Sequence, residues 1–270
     1  MGVLKRVDRY LAVLVIGFKQ QLAYKKDYFI SLGFRIFASF IMIAVWTAVY
    51  LNSNVTSIGG FTLPQMYIYF FLINAIAIVS FNVPISENIQ DDIQNGTITT
   101  ALVKPVAYTS QVFLNSLGNN LFAGLAVTLP FIILISFIGH FVFTLQAVAF
   151  FLIEMALAFI ISTFIFFLVG TMAIYLTNIW GIIAVTDSLY MLLGGGIVPL
   201  NLLPSWARGI FAVLPMQLSL YTPAATLLGI VSTGQIIQSL LVGAAWAVPL
   251  FILSAFVWNR VRGKITSVGG

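Results

Sequence analysis

Residues 201–229, "NLLPSWARGIFAVLPMQLSLYTPAATLLG", decide how often this chain crosses a membrane. The stretch is apolar enough to pass for a span. However, Pro204, Pro215 and Pro223 interrupt it roughly every ten residues, and Arg208 sits inside it. Each interior proline deletes a backbone hydrogen bond and kinks the helix. Backbone groups freed in hydrocarbon find no partner, so a straight, lipid-exposed span is disfavoured. The pattern predicts a broken, re-entrant element over residues 202–230, sheltered by protein.

Around this stretch the chain is built for a bilayer. Of its 270 residues, 61% are hydrophobic and 7% charged, against about 25% charged in soluble domains. Apolar runs of about 20 residues, the length of a spanning helix, recur along it. They predict spans over residues 28–51, 65–86, 110–138 and 146–176, a fifth from the "TNIWG" break to Gly194, and a sixth over 236–258 that ends in "NRVRGK". The fourth exceeds the bilayer thickness and should tilt or protrude. Ahead of the first span, residues 1–27 form an interfacial segment. Leu4, Val7, Leu11, Leu14, Val15, Phe18 and Leu22 recur there at helical spacing, while Lys5, Arg9, Lys19 and Gln20 stay polar. No small-residue cleavage site follows its apolar run, so it is not expected to be a signal peptide.

Charge placement tests the count. With six spans both ends share one side, which collects Lys5, Arg6, Arg9, Lys19, Lys25, Lys26, Lys104, Arg260, Arg262 and Lys264, leaving only Arg208 opposite. A seventh crossing through 201–229 would put "RVRGK" outside, against the positive-inside rule. The fold class is therefore an all-α polytopic membrane protein: one transmembrane domain with six spans and both termini cytoplasmic. The net charge of +5 reads as topology, not as a nucleic-acid footprint. Arg35, inside the first span, can snorkel to the surface. Trp46, Trp180, Trp206 and Trp258 fall near span ends, as an aromatic belt does.

Most site chemistry is excluded. There are no cysteines, hence no disulfide or thiolate metal site. One histidine, His140, in the turn after span three, makes no zinc pair. No G-x-x-x-x-G-K-[ST] loop exists to cradle phosphates, and no G-x-S-x-G elbow. Glu154 and Asp187 are the acids inside spans, Glu154 toward the outer end of span four and Asp187 toward the inner end of span five. Each either hydrogen-bonds a neighbouring helix or lines a substrate or proton path. The amides Asn74, Asn82, Asn115, Asn119 and Asn120 face the same choice between helix contacts and a hydrated vestibule; Asn115 and Asn119 share a helix face. Pro130 and Pro249 are expected to kink their spans.

The remaining feature is "ENIQDDIQNGTITTALVKPV", residues 87–106. Three of the seven carboxylates, Glu87, Asp91 and Asp92, lie within six residues. Ile85, Ile89 and Ile93 make one helical stripe, with Glu87 and Asp91 on another. Asn95-Gly96 stops the helix with a residue tolerant of positive φ. Thr97 caps a second short turn that Lys104-Pro105 ends. Residues 87–105 thus form a small cytoplasmic helix pair with an apolar and an acidic side, either a solvated loop or a docking knob for a cytosolic partner.

"DDIQNGTITTALVKPV", the later "GGGIVPLNLLPSWARGIFAVLPMQLSLYTPAATLLG" and "AYKKDYFI" before the first span together resemble the type-2 ABC exporter permeases, the last resembling their drug-exporter-like branch. The resemblance covers essentially the whole chain. The departure is at Asp92–Asn95, where many members carry a basic residue before the glycine. What it implies is a permease subunit, not itself an enzyme, in a bacterial plasma membrane among lipids. It would work with two cytosolic ATPase subunits, which would hold ATP and Mg, and pair with a second permease copy or a homologue. It would export an amphipathic drug, peptide or lipid-like substrate by alternating access. Ile85, Glu87, Ile89, Asp91, Asp92, Ile93, Gly96 and Thr97 would couple to the ATPases, with Asn74, Asn115, Asn119, Glu154 and Asp187 as candidates for the substrate path. Two rivals are a proton-coupled carrier using Glu154 or Asp187, and an intramembrane enzyme.

Overall fold

The computed structural model describes residues 2–23, 25–53, 55–139 and 143–268; His140 lies outside them. Two long helices come first, α1 (Gly2–Ala23) and α2 (Lys25–Ser53). A two-stranded hairpin, β1 (Ser57–Ile58) against β2 (Phe61–Thr62), leads into α3 (Leu63–Ser80). The bent pair α4 (Val83–Gln94) and α5 (Thr97–Val103) follows. Then α6 (Tyr108–Ala123) runs through a π-helical turn, Gly124–Thr128, into α7 (Leu129–Gly139). The chain continues with α8 (Leu145–Thr171), α9 (Trp180–Leu193), the short α10 (Ser205–Ala212) and α11 (Tyr221–Leu227), and α12 (Thr233–Val268).

Among the described residues, five helical stretches are long and apolar enough to cross a membrane: Leu32–Ser53, Leu63–Gln94, Tyr108–Phe137, Leu145–Ile174 and Thr233–Lys264. The expected fifth span is α9, which begins at the predicted break but has 14 residues. At 1.5 Å per residue that is about 21 Å, short of the roughly 30 Å hydrocarbon core. Gly194 to Gly196 end it early, where Tyr69 Oη donates to the Gly195 carbonyl at 2.7 Å and Tyr221 N–H to that of Gly194 at 2.9 Å. A sixth crossing therefore rests on a helix shorter than the bilayer core.

Other boundaries move for identifiable reasons. α3 stops at Ser80, not near residue 86, because Pro84 sits in the first turn of α4 and forces a new start. Helix α12 continues ten residues past Trp258, carrying Arg260, Arg262 and Lys264 on a helix instead of a tail. Trp258 does not join the lipid belt: it is buried and stacked on Tyr108, centroids 4.9 Å apart. Pro130 is accommodated by the widened π turn just before it, as such bulges commonly do at helix irregularities.

Residues 201–229 form no spanning helix. A 3₁₀ turn, α10, a second 3₁₀ turn and α11 follow one another, the longest of eight residues. Pro204 precedes α10, Pro215 opens the second 3₁₀ turn and Pro223 lies in the first turn of α11. Each proline begins a helix, where its missing N–H costs little, instead of kinking one.

The core is built around α3, whose Tyr69, Phe70, Leu72 and Ile76 are fully buried, whereas the apolar window of α2 is 6% buried. Helix α1 packs lengthwise on α6. A Cβ at Gly17 would collide with the Asn115 carbonyl, and one at Gly118 with that of Leu14. Small residues at a crossing let backbones approach, which drives helix association where lipid is as apolar as leucine. One end of the molecule gathers the hairpin and residues 199–230; Asn201 Nδ2 donates to the Gly59 carbonyl, and Tyr50 Oη to that of Phe61 at 2.6 Å. The opposite end gathers α4, α5 and the α8–α9 turn.

Candidate functional site

The site is built on the α4–α5 pair. Helix α4 is amphipathic, so its isoleucine stripe seeks cover. Ile85 and Ile89 are buried against Phe166 and Phe167 of α8, and the partly buried Ile93 packs with Val169, Ala173, Ile179 and Ile183. The fit to α8 depends on Gly170, whose Cβ position lies 2.9 Å from Ile89 Cδ1 and 3.1 Å from Ser86 Cα. Ser86 Oγ donates to the Phe166 carbonyl at 2.6 Å. Two glutamines fasten α4 to the α8–α9 turn: Ile179 N–H donates to Gln90 Oε1 at 2.9 Å, and Gln94 Nε2 to the Thr177 carbonyl at 2.6 Å.

Gly96, at φ 71°, makes the turn between the two helices, a left-handed conformation that a side chain would strain. It occupies the position preceding α5 that Thr97 was expected to cap. Thr97 instead turns back, its Oγ1 donating to Asp92 Oδ1 at 2.7 Å, while Tyr108 Oη donates to Asp92 Oδ2 at 2.8 Å. Asp92 is thus a clamp joining α4, α5 and α6. Glu87 and Asp91 stay exposed on the other side. Partial burial, and then the Asp91 carboxylate one turn on, raise the Glu87 carboxyl above the ordinary carboxylate range.

Above this pair lies a hub absent from the predicted site residues. Asn82, 2% exposed in the break between α3 and α4, donates Nδ2 to Ser162 Oγ at 2.6 Å and Thr163 Oγ1 at 3.2 Å on α8. Its Oδ1 accepts from Ser116 Oγ at 3.0 Å and Asn120 Nδ2 at 2.8 Å on α6. One amide therefore ties three long helices at the root of α4. Of the two roles expected for this amide, contacts between helices and a hydrated vestibule, these bonds are the first.

Two cavities open beside the site. The first, about 620 Å³, lies between α1, α4, α5 and α6 and is lined by Arg9, Asp91, Asp92, Lys104 and Asn115 among others. The second, about 520 Å³, lies among α1, α2, α3, α4, α6 and α9 and brings together Arg35, Glu87, Asn119 and Asp187. Arg35 thus lines this cavity, within electrostatic reach of Asp187.

The predicted path residues are distributed unevenly. Asn119 and Asp187 line the second cavity, while Asn115 lines the first and donates to Gln20 Oε1 at 2.9 Å. Asn74 lines neither; its Nδ2 donates to Ser39 Oγ at 2.9 Å and joins α2 to α3. Glu154 is fully buried on α8, away from both, and accepts from Thr226 Oγ1 of α11 at 3.0 Å. Among the described residues no cluster of His, Asp and Glu is arranged to hold a metal.

A sequence profile described as ABC-2 family transporter protein matches residues 34–269, everything after α1 and the first turns of α2. No curated protein matches the chain.

Proposed function

The chain belongs to the ABC-2 family of transporter proteins, and on that premise we propose that it is the export permease of a machine whose ATP hydrolysis takes place on separate subunits. Membership makes it a multi-pass membrane subunit that associates with ABC ATPases. Two cytosolic ATPase subunits hold ATP and Mg, and a second permease copy or homologue completes the pore, six spans each with both termini cytoplasmic. Residues 202–230 are the external re-entrant element. The cargo is amphipathic or hydrophobic.

The observation that carries this reading is the mounting of α4. Its exposed side, with Asp91, is free to meet a partner, while its other side is fastened to α8 through Ile85, Ile89 and Ser86 and to the α8–α9 turn through Gln90 and Gln94. A push on such a helix is delivered to the spans and cannot be absorbed by a loop. Alternating access needs that rigid transmission. A proton-coupled carrier is less well supported, because Glu154 Oε1 accepts from Thr226 and Glu154 lines neither of the two cavities, whereas Asp187 lines the second.

The test is co-expression with the ATPase encoded beside it. The permease should copurify with the ATPase, and inverted vesicles should accumulate substrate with ATP even after an uncoupler abolishes the proton gradient. Transport that needs no ATPase and stops with the gradient would overturn the reading.

A further inference from the structure

The second cavity carries an inference about cargo, which rests on the transport reading above and makes it narrower. Its charge is unusual for this chain. The protein as a whole is basic, at +5, but this cavity is lined by two carboxylates, Glu87 and Asp187, and one guanidinium, Arg35. Among the described residues the excess is one negative charge. Asp187 stands about two turns into α9, and Arg35, on α2, lies within electrostatic reach of it. Ionisable groups at membrane depth are costly and are retained where they line a cavity or a path.

The neutral polarity around them is mostly committed. The Asn82 and Asn120 amides bond each other, and Asn120 Nδ2 also donates to the Val79 carbonyl at 2.8 Å. Asn119 is the exception: its buried Oδ1 has no hydrogen-bond partner among the described residues. What the described side chains offer the cavity is therefore net acidic. Ile78 and Phe81 supply apolar wall on the α3 side. The volume of about 520 Å³ is within the range of small-molecule sites, roughly 300–1,000 Å³.

We propose that this cavity, formed within one copy of the chain among α1, α2, α3, α4, α6 and α9, is a binding site for a monovalent organic cation with an apolar body. The cation neutralises the one-charge excess left by Glu87 and Asp187 over Arg35, and its body lies against Ile78 and Phe81. An anion of the same shape would face the uncompensated carboxylate.

Tetraphenylphosphonium and tetraphenylborate are such a pair, equal in shape and opposite in charge. With the purified full chain in lipid nanodiscs, radiolabelled tetraphenylphosphonium should bind saturably and tetraphenylborate should not displace it. Asp187→Asn should weaken binding by about tenfold or more, Asp187→Glu should restore it, and Arg35→Gln should tighten it. Glu154→Gln, a buried acid outside the cavity, should leave it unchanged. Saturable binding of tetraphenylborate, or Asp187→Asn within about twofold of the wild type, overturns the proposal. A chain that copurifies with its ATPase and transports with ATP, yet binds no tetraphenylphosphonium, overturns only the cation site. Charge-selective binding by a chain that captures no ATPase overturns only the transport reading.

Discussion

Replacing Gly170 tests whether α4 transmits force through α8. A Cβ there would sit 2.9 Å from Ile89 Cδ1, 3.0 Å from Ile89 Cβ and 3.1 Å from Ser86 Cα. Carbon atoms prefer separations of about 3.5–4.0 Å. The Ile89 methyl can rotate aside, but the Ser86 backbone cannot, so α4 must withdraw by roughly half an ångström or more. Overpacking of this kind costs about 1–3 kcal/mol. A 2 kcal/mol penalty lowers the ratio of docked to undocked α4 about thirtyfold. The cost should grow from Gly170→Ala to Gly170→Val, with the Ser86–Phe166 hydrogen bond stretched in both. The assay is ATP-driven uptake into inverted vesicles, normalised to permease in the membrane and to copurified ATPase. Uptake should fall in that order while membrane accumulation stays near the wild type, because α4 lies outside the span-to-span core around α3. Ile89→Val removes the Cδ1 atom behind the 2.9 Å contact, and in the Gly170→Ala background it should restore part of the loss. Wild-type uptake by Gly170→Val, or no restoration by Ile89→Val, would refute the transmission argument.

Other outcomes follow from the same packing. Asn82→Leu removes its four hydrogen bonds with Ser116, Asn120, Ser162 and Thr163; at about 0.6 kcal/mol per hydrogen bond between membrane helices, roughly 2–3 kcal/mol is lost, read as a lower unfolding midpoint in detergent. Gly118→Leu cannot be accommodated against the Leu14 carbonyl and should free α1 from α6, measured as faster proteolysis of residues 2–23 while the spans stay intact. The absence of native cysteine makes labelling clean. Cysteines at Arg208 and Asn52 should react with an impermeant reagent from outside and one at Gln94 should not; inside-only labelling at 208 would overturn the proposed topology. Permease purified free of its partners should hydrolyse no ATP, and turnover by it would refute the division of labour.

Much of this protein was legible from its residues in order. The membrane class, the approximate positions of the long helices, the broken nature of 201–229 and the turn at Gly96 all depend on interactions within a few residues: apolar run length, proline's missing N–H and glycine's freedom at positive φ. Periodicity also showed that α4 has an apolar stripe. It could not show that the stripe faces α8, that Gly170 admits it, or that Asp92 clamps Thr97 and Tyr108. Nor could it bring Arg35 and Asp187, 152 positions apart in the chain, to one cavity, or show that Glu154 meets Thr226 of α11. In water, an apolar face announces itself because it must be hidden. In a bilayer, lipid and protein are equally apolar, so composition does not say which face of a helix meets another helix. That choice is made by close backbone approach at glycines and by buried polar pairs between distant residues, which exist only once the tertiary structure has formed.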